Sequence, residues 1–255
     1  VDNGTKSIHY ARDPILEAFV GFDWETEDEE ATRPATDPRL LDELGTLLAS
    51  EYPRSQPISY DGRFLRSGNF DDPAAKGRAY ATEDGKQVVR AFNARFTFHR
   101  LAPYRRWEPF VAEAHRIAEL YHSVFPRRNG EVQVVVRYLN VFSIPLEHPL
   151  HEFFNVYPAW PERDVLFTRV FMRVATAFEE PHGHLTTFFL PRGDEYNTAV
   201  SRPDDPNSFD MILDNIFDYT FADDRTAWAT MDSIRKKKND TFNSQITPRL
   251  RESIQ

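Results

Sequence analysis

The fourteen residues Glu131–Ile144 (EVQVVVRYLNVFSI) leave little choice of conformation. Successive side chains of a strand point to opposite faces. Val132, Val134, Val136, Tyr138, Phe142 and Ile144 then share one face, with Asn140 as its only polar member. The other face carries Gln133, Val135, Arg137, Leu139, Val141 and Ser143. A strand that is greasy on one side and mixed on the other belongs in an antiparallel sheet covered mainly on one face. A helix precedes it: Phe110, Ala114, Ile117, Tyr121 and Val124 recur at helical spacing between about Trp107 and Phe125. Pro109 fits only the first turn of that helix, and Pro126 with Asn129-Gly130 ends it. Upstream, Val88–Leu101 alternates as one long strand. Its greasy face holds Val88, Phe92, Ala94, Phe96 and Phe98 with Arg90; its mixed face holds Val89, Ala91, Asn93, Arg95, Thr97 and His99. The simplest assembly of this strand–helix–strand unit lays the helix's apolar stripe on the greasy sheet face.

The remaining segments extend the same plan. Ile15–Trp24 reads as a first strand and runs into the acidic stretch Glu25–Glu30. Leu40, Leu41, Leu44, Leu47 and Leu48 form a short amphipathic helix with Asp37 as N-cap and Pro38 at its first position, closed by Pro53 and Pro57. Arg78–Thr82 and Lys86–Ala91 flank Glu83-Asp84-Gly85, a hairpin signal. A short helix is expected at His148–Asn155. Val165–Phe178 and Leu185–Leu190 pair about a Pro181–Gly183 turn, with Arg169 and Arg173 on one strand face. Phe209–Phe221 is the last strand. A single long helix follows from Asp223 or Asp224 past Phe242, with Trp228, Met231, Ile234, Arg235 and Phe242 facing inward. The fold class is α+β: a predominantly antiparallel, twisted β-sheet with long helices packed on one face. Strand pairs followed by long helices recur near 88–125 and 165–243. That recurrence suggests a pseudo-duplicated pair of halves, 1–145 and 146–255, the second sharing or extending the sheet of the first.

The composition bounds the chemistry. Hydrophobic residues make up 40 % of the 255 residues and include 21 Phe, which supports a core rather than a disordered chain. The absence of cysteine removes disulfides, thiolate metal sites and thiol nucleophiles. A net charge of −9 argues against a general nucleic-acid binder, because phosphate contacts dominate such affinity. No apolar run is long enough to span a bilayer, and the polar start VDNGTKSIHY has no signal core. A cytoplasmic location with no membrane contact is expected.

The run Phe96–Tyr104 (FTFHRLAPY), then Trp107, then Arg137–Asn140 (RYLN) with Ile144-Pro145 after it, resembles a bacterial and archaeal family described as "sporadically distributed protein". The order of segments is also similar: an early ILEAFVGF strand, a Trp-led helix, Asn155–Pro158 (NVYP), and Ile212-Leu213-Asp214 before a C-terminal helix. The resemblance covers about Pro14 to Arg251. Leu139 stands where the family usually carries Ile, and Arg105-Arg106 replace the small polar residue expected to cap the Trp-led helix. The resemblance implies no catalytic residues. A patchy distribution of this kind is common among mobile-element, toxin–antitoxin and antiviral-defence genes, which is an association rather than a mechanism.

Four constellations are candidates for a site. Arg95, Arg137, Arg169 and Arg173 sit on mixed strand faces, with His99 beside Arg95, and could floor a phosphate, nucleotide or acidic partner segment. The competing reading is a solvated face whose arginines pair with acids. Glu179-Glu180-Pro181-His182-Gly183-His184 holds two histidines and two carboxylates but reads first as a turn, and no metal motif supports it. Arg235, Lys236, Lys237 and Lys238 could touch nucleic acid or simply line a solvated helix face. Glu25–Glu30 could mimic phosphates or be an acidic loop. There is no GxGxxG, Walker A or GxSxG motif, so no catalytic residue, metal or cofactor is assigned. The expectation is a non-enzymatic cytoplasmic protein that recognises a protein partner through the mixed sheet face and adjacent loops, in a bacterial defence or toxin-neutralising system. The alternatives are an enzyme or sensor binding a phosphorylated small molecule or nucleotide at the arginine-lined face, and a nucleic-acid-contacting subunit. Oligomeric state is left open.

Overall fold

Alternating sequence forms the strands of a single sheet. The computed structural model describes residues 14–24, 36–59, 76–126, 130–157, 171–192 and 207–254. Among the described residues there are nine strands: β1 (Ile15–Trp24), β2 (Arg54–Ser59), β3 (Lys76–Ala81), β4 (Gln87–Phe92), β5 (Arg95–Leu101), β6 (Val132–Pro145), β7 (Met172–Glu179), β8 (His182–Pro191) and β9 (Ser208–Phe221). They form one sheet in the order β2-β3-β4-β5-β1-β6-β9-β8-β7, with every neighbouring pair antiparallel. The long alternating segment, β6, lies inside it. β6 pairs with β1 on one side, and with β9 from Val132↔Phe221 to Pro145↔Ser208 on the other.

The helices are α1 (Pro38–Leu48), α2 (Trp107–Val124), α3 (Asp224–Ala229), α4 (Met231–Gln245) and α5 (Pro248–Ile254). They cover one face of the sheet, as the greasy strand faces require. Leu41, Leu44 and Leu48 of α1, the Phe110, Ala114, Ile117 and Tyr121 stripe of α2, and Met231 and Ile234 of α4 share a core with Val20, Phe22, Phe96, Phe98, Val134, Val136 and Phe217. A second cluster joins Phe142, Ile144, Phe189 and Leu213 to Phe153, Phe154, Ile246, Leu250 and Ile254. Asp37 caps α1 by accepting from the Arg39 N–H, with Pro38 at the first turn. Arg106 at the start of α2 makes no side-chain cap, which matches the missing small polar residue.

Several expectations need correction. Val88–Leu101 is a hairpin, not one strand. β4 ends at Phe92, Asn93-Ala94 turns with Ala94 at φ 61°, and Phe92 pairs with Arg95. A two-residue turn reverses the phase of alternation, so Val88, Arg90 and Phe92 share a face with Arg95, Thr97 and His99. The turn lacks the usual Asn-Gly signature; its positive φ falls on an alanine. Gly77 permits the local packing, because a Cβ there would press on the Phe92 ring and come within 2.5 Å of the Ala91 carbonyl oxygen. Pro57 lies inside β2, where an edge strand tolerates it. The segment His148–Asn155 contains only a single 3-10 turn, Leu150–Glu152. The long C-terminal helix is broken at Thr230 into α3 and α4, and α5 follows it. His182 starts β8 rather than occupying the turn. Arg169 and Glu25–Glu30 lie outside the described residues.

Candidate functional site

The register fixes what the mixed sheet face can do. Cross-strand neighbours place Arg95, Asp23 and Gln133 in one row, and His99, Phe19, Arg137 and Ile216 in the next but one. Each cation of these rows meets an acid on a neighbouring strand. Arg95 forms an ion pair with Asp23, and both residues are 4 % exposed. Arg137 donates to both oxygens of Asp214, Nε at 2.8 Å and a terminal nitrogen at 2.7 Å, in a fork-to-carboxylate geometry. It also lies 5.9 Å from the centre of the Phe19 ring. Gln133 donates to both oxygens of Asp218, at 2.8 and 3.0 Å. These side chains are spent on one another in a buried layer rather than presented to a ligand.

His99 completes the layer. Its ring lies 4.9 Å from Phe19, its Nδ1 is 2.7 Å from Glu17 Oε1, and its Nε2 is 2.7 Å from the Thr97 hydroxyl. The neutral tautomer that satisfies all three groups donates Nδ1–H to Glu17 and accepts from Thr97. Burial lowers the His99 pKa, and the nearby Arg90 and Arg137 charges push the same way; the Glu17 hydrogen bond and charge oppose them. Burial alone would raise Glu17, but the His99 hydrogen bond, with the positive charges of Arg137 and Arg90, outweighs it and holds the carboxyl at about 2. An acid–imidazole–hydroxyl series can polarise an alcohol. Here the hydroxyl belongs to Thr97, which is 5 % exposed, so the series serves the sheet rather than a substrate.

Both groups bind a proton more readily in the unfolded chain. Their contribution to stability is therefore full at neutral pH. It falls as acid takes His99 below its ordinary 6.5 and then Glu17 from 4.5 toward 2. Glu17→Gln is expected to lower the unfolding free energy by roughly 1–3 kcal/mol at pH 7. In urea titrations its gap to the wild type should close as pH falls below 4.5. A gap that stays constant down to pH 2 would contradict this assignment.

Of the expected arginines that lie among the described residues, Arg173 is not brought together with Arg95 and Arg137. Arg173 sits on β7, five strands away from β5, which is about 24 Å at the usual inter-strand spacing. Its guanidinium lies 5.7 Å from the centre of the Phe188 ring. The crossover that inserts β9 and β8 between β6 and β7 separates them, and single-strand alternation carries no information about that order. The basic run of α4 is also occupied. Arg235 pairs with Glu108 at 2.7 Å and Lys236 with Asp240 at 2.6 Å. Lys237 lies 4.6 Å from the Phe178 ring centre, and Lys238 lies 4.2 Å from that of Tyr138. The Arg235, Lys237 and Lys238 contacts fasten α4 to α2 and to the sheet, and the Lys236 pair lies within α4. Among the described residues, no group of three or more His, Asp or Glu side chains could hold a metal ion. No described helix is long and apolar enough to cross a membrane.

The surface feature that strand alternation did not single out is the end of the sheet. β7 is the terminal strand, with β8 as its only strand neighbour among the described residues. Arg173–Ala177 are all exposed, Val174 to 36 %, and the preceding Phe171 is 61 % exposed. The other terminal strand, β2, carries Pro57, whose missing N–H guards against extension of the sheet. β7 contains no proline, and Val174–Phe178 is uncharged. A short, uncharged, β-branched and small-residue run was the available sequence signal. No protein-family model, no curated protein and no solved structure matches the chain.

Proposed function

We propose that this chain is a non-enzymatic partner-recognition protein whose contact element is the sheet edge formed by β7. One observation carries the reading. Among the described residues the sheet ends on an exposed, proline-free strand, while Arg95, Arg137 and His99 are consumed in buried pairs with Asp23, Asp214 and Glu17. An open edge offers a row of backbone N–H and C=O groups to an extended segment of another chain, with alternate side chains supplying selectivity. The contact therefore moves from the mixed sheet face to its margin. The bacterial defence or toxin-neutralising setting rests on the family resemblance alone.

The test is capture from native lysate by the tagged chain, compared with Thr176→Lys, which places a charge in the middle of the edge. A stoichiometric partner held by the wild type and reduced at least tenfold by the variant supports the reading. A toxin-like enzyme as that partner would support the setting as well. Equal capture by both proteins overturns the assignment to β7. A phosphorylated metabolite or nucleotide copurifying in stoichiometric amount overturns the non-enzymatic binding reading.

A further inference from the structure

β7 reads Met172-Arg173-Val174-Ala175-Thr176-Ala177-Phe178-Glu179, and its second half answers its first. We infer that the occupant of this edge in the isolated protein is a second copy of β7, paired antiparallel about a two-fold axis through Thr176. The inference rests on the reading of β7 as the contact edge. In that register Arg173 faces Glu179 of the second copy, Val174 faces Phe178, Ala175 faces Ala177, and Thr176 faces itself. Two-fold symmetry makes each unlike pair occur twice.

Three observations support this occupant. The first is charge. Arg173 and Glu179 are the only charged residues of the strand, both are exposed, and they share one face because they lie an even number of residues apart. Only the register centred on Thr176 sets the two opposite each other. Centring on Ala175 would leave both charges against uncharged neighbours. The second is size. Ala175 and Ala177 lie on the same face between the charged pairs and leave room for both long side chains. Cross-strand partners approach to about 5 Å, close enough for opposite charges to attract and like charges to repel. The third is the margin of the strand. The same register brings Phe171, 61 % exposed, against Pro181 of the second copy, covering the largest exposed aromatic ring near the edge. The product is a continuous sheet of eighteen strands, with Pro57-bearing β2 at each outer end. Growth stops there, so the assembly closes as a dimer. The contact is a single strand pair, smaller than a standard protein interface, so a dissociation constant of roughly micromolar order is expected.

Sedimentation velocity of the full chain from about 1 to about 200 µM tests this. The expected result is a monomer–dimer equilibrium. Arg173→Glu places two acids against Glu179, and Glu179→Arg places two cations against Arg173. Each alone should weaken the dimer about tenfold or more. Two recoveries are specific to the proposed register. The double exchange R173E/E179R restores the homodimer, and an equimolar mixture of the two single variants forms a heterodimer in which every charge meets its opposite. All positions are exposed, and an unchanged urea transition confirms that each variant is folded. A chain that stays monomeric over the whole range, or single variants that recover neither on mixing nor on double exchange, overturns the proposal. If the chain is monomeric but Thr176→Lys still abolishes capture of another protein, self-pairing fails and the edge reading survives. If neither occurs, both fail.

Discussion

Asp214→Ala is expected to lower the unfolding free energy by about 3–5 kcal/mol. Asp214 is fully buried and binds Arg137 through two parallel hydrogen bonds. Arg137 is itself only 3 % exposed. Removing the acid leaves a guanidinium in a dry layer without its bidentate partner, and the guanidinium cannot escape by losing a proton. In the register Phe19, Leu139 and Ile216 flank the pair and carry no side-chain acceptor, and Glu17, whose carboxylate feels the Arg137 charge, is already hydrogen-bonded to His99. The double substitution R137M/D214L should cost much less than Asp214→Ala, because the desolvation penalty of both charges disappears with them. Urea denaturation of the single and double variants gives the coupling energy directly. A loss below about 1 kcal/mol for Asp214→Ala would mean that the pair is solvated and the mixed face open.

Trp24→Ala is the second large effect, at about 3–5 kcal/mol. The indole closes β1 against two helices. Its ring lies 5.5 Å from Tyr121, 6.0 Å from Phe96 and 4.7 Å from His122. Its Nε1–H donates to Asp224 Oδ1 at 2.5 Å, and the other oxygen of that carboxylate is 3.0 Å from His122 Nε2. One residue thus ties the end of β1, the last turn of α2 and the start of α3 together. Trp24→Phe separates the two contributions. It keeps most of the ring packing and removes the donor, and is expected to cost about 1–2 kcal/mol. Thermal melts of the two variants check the order. If Phe and Ala cost the same, the indole–Asp224 bond rather than the packing dominates the site.

The two predictions fall on different faces of one sheet, and that division explains what the polar residues are for. On the helix-covered face, burial is mostly apolar, with a small satisfied network in which Gln245 of α4 bonds Thr187 and Asn215. On the other face, Arg95, Arg137 and His99 look like a binding site when their strands are read singly. Each becomes a structural partner once the neighbouring strand supplies Asp23, Asp214 or Glu17. The strongest apparent site in the sequence is therefore a consequence of sheet assembly.

Local chemistry determined a good part of this protein without reference to the fold. The alternation of β6, the stripe of α2, the Asp37-Pro38 start of α1, the Asp223 cap of α3 and the Glu83-Asp84-Gly85 hairpin are all set within a few residues. The α+β class follows from them, since each amphipathic element has one face to bury. Tertiary structure alone decided the rest. The Asn93-Ala94 turn forms because β5 must return beside β4 and place Phe96 and Phe98 in the core, although alanine has no preference for positive φ. Strand order set the partners of Arg95 and Arg137, because the acid that each one binds is 72 or 77 residues away in the chain. The order also made β7 an edge, and a strand's own residues do not record whether one or both of its sides will be paired. Pairing is a long-range contact governed by closure of loops and burial of the whole layer, so the same alternating sequence can serve in the middle of a sheet or at its margin.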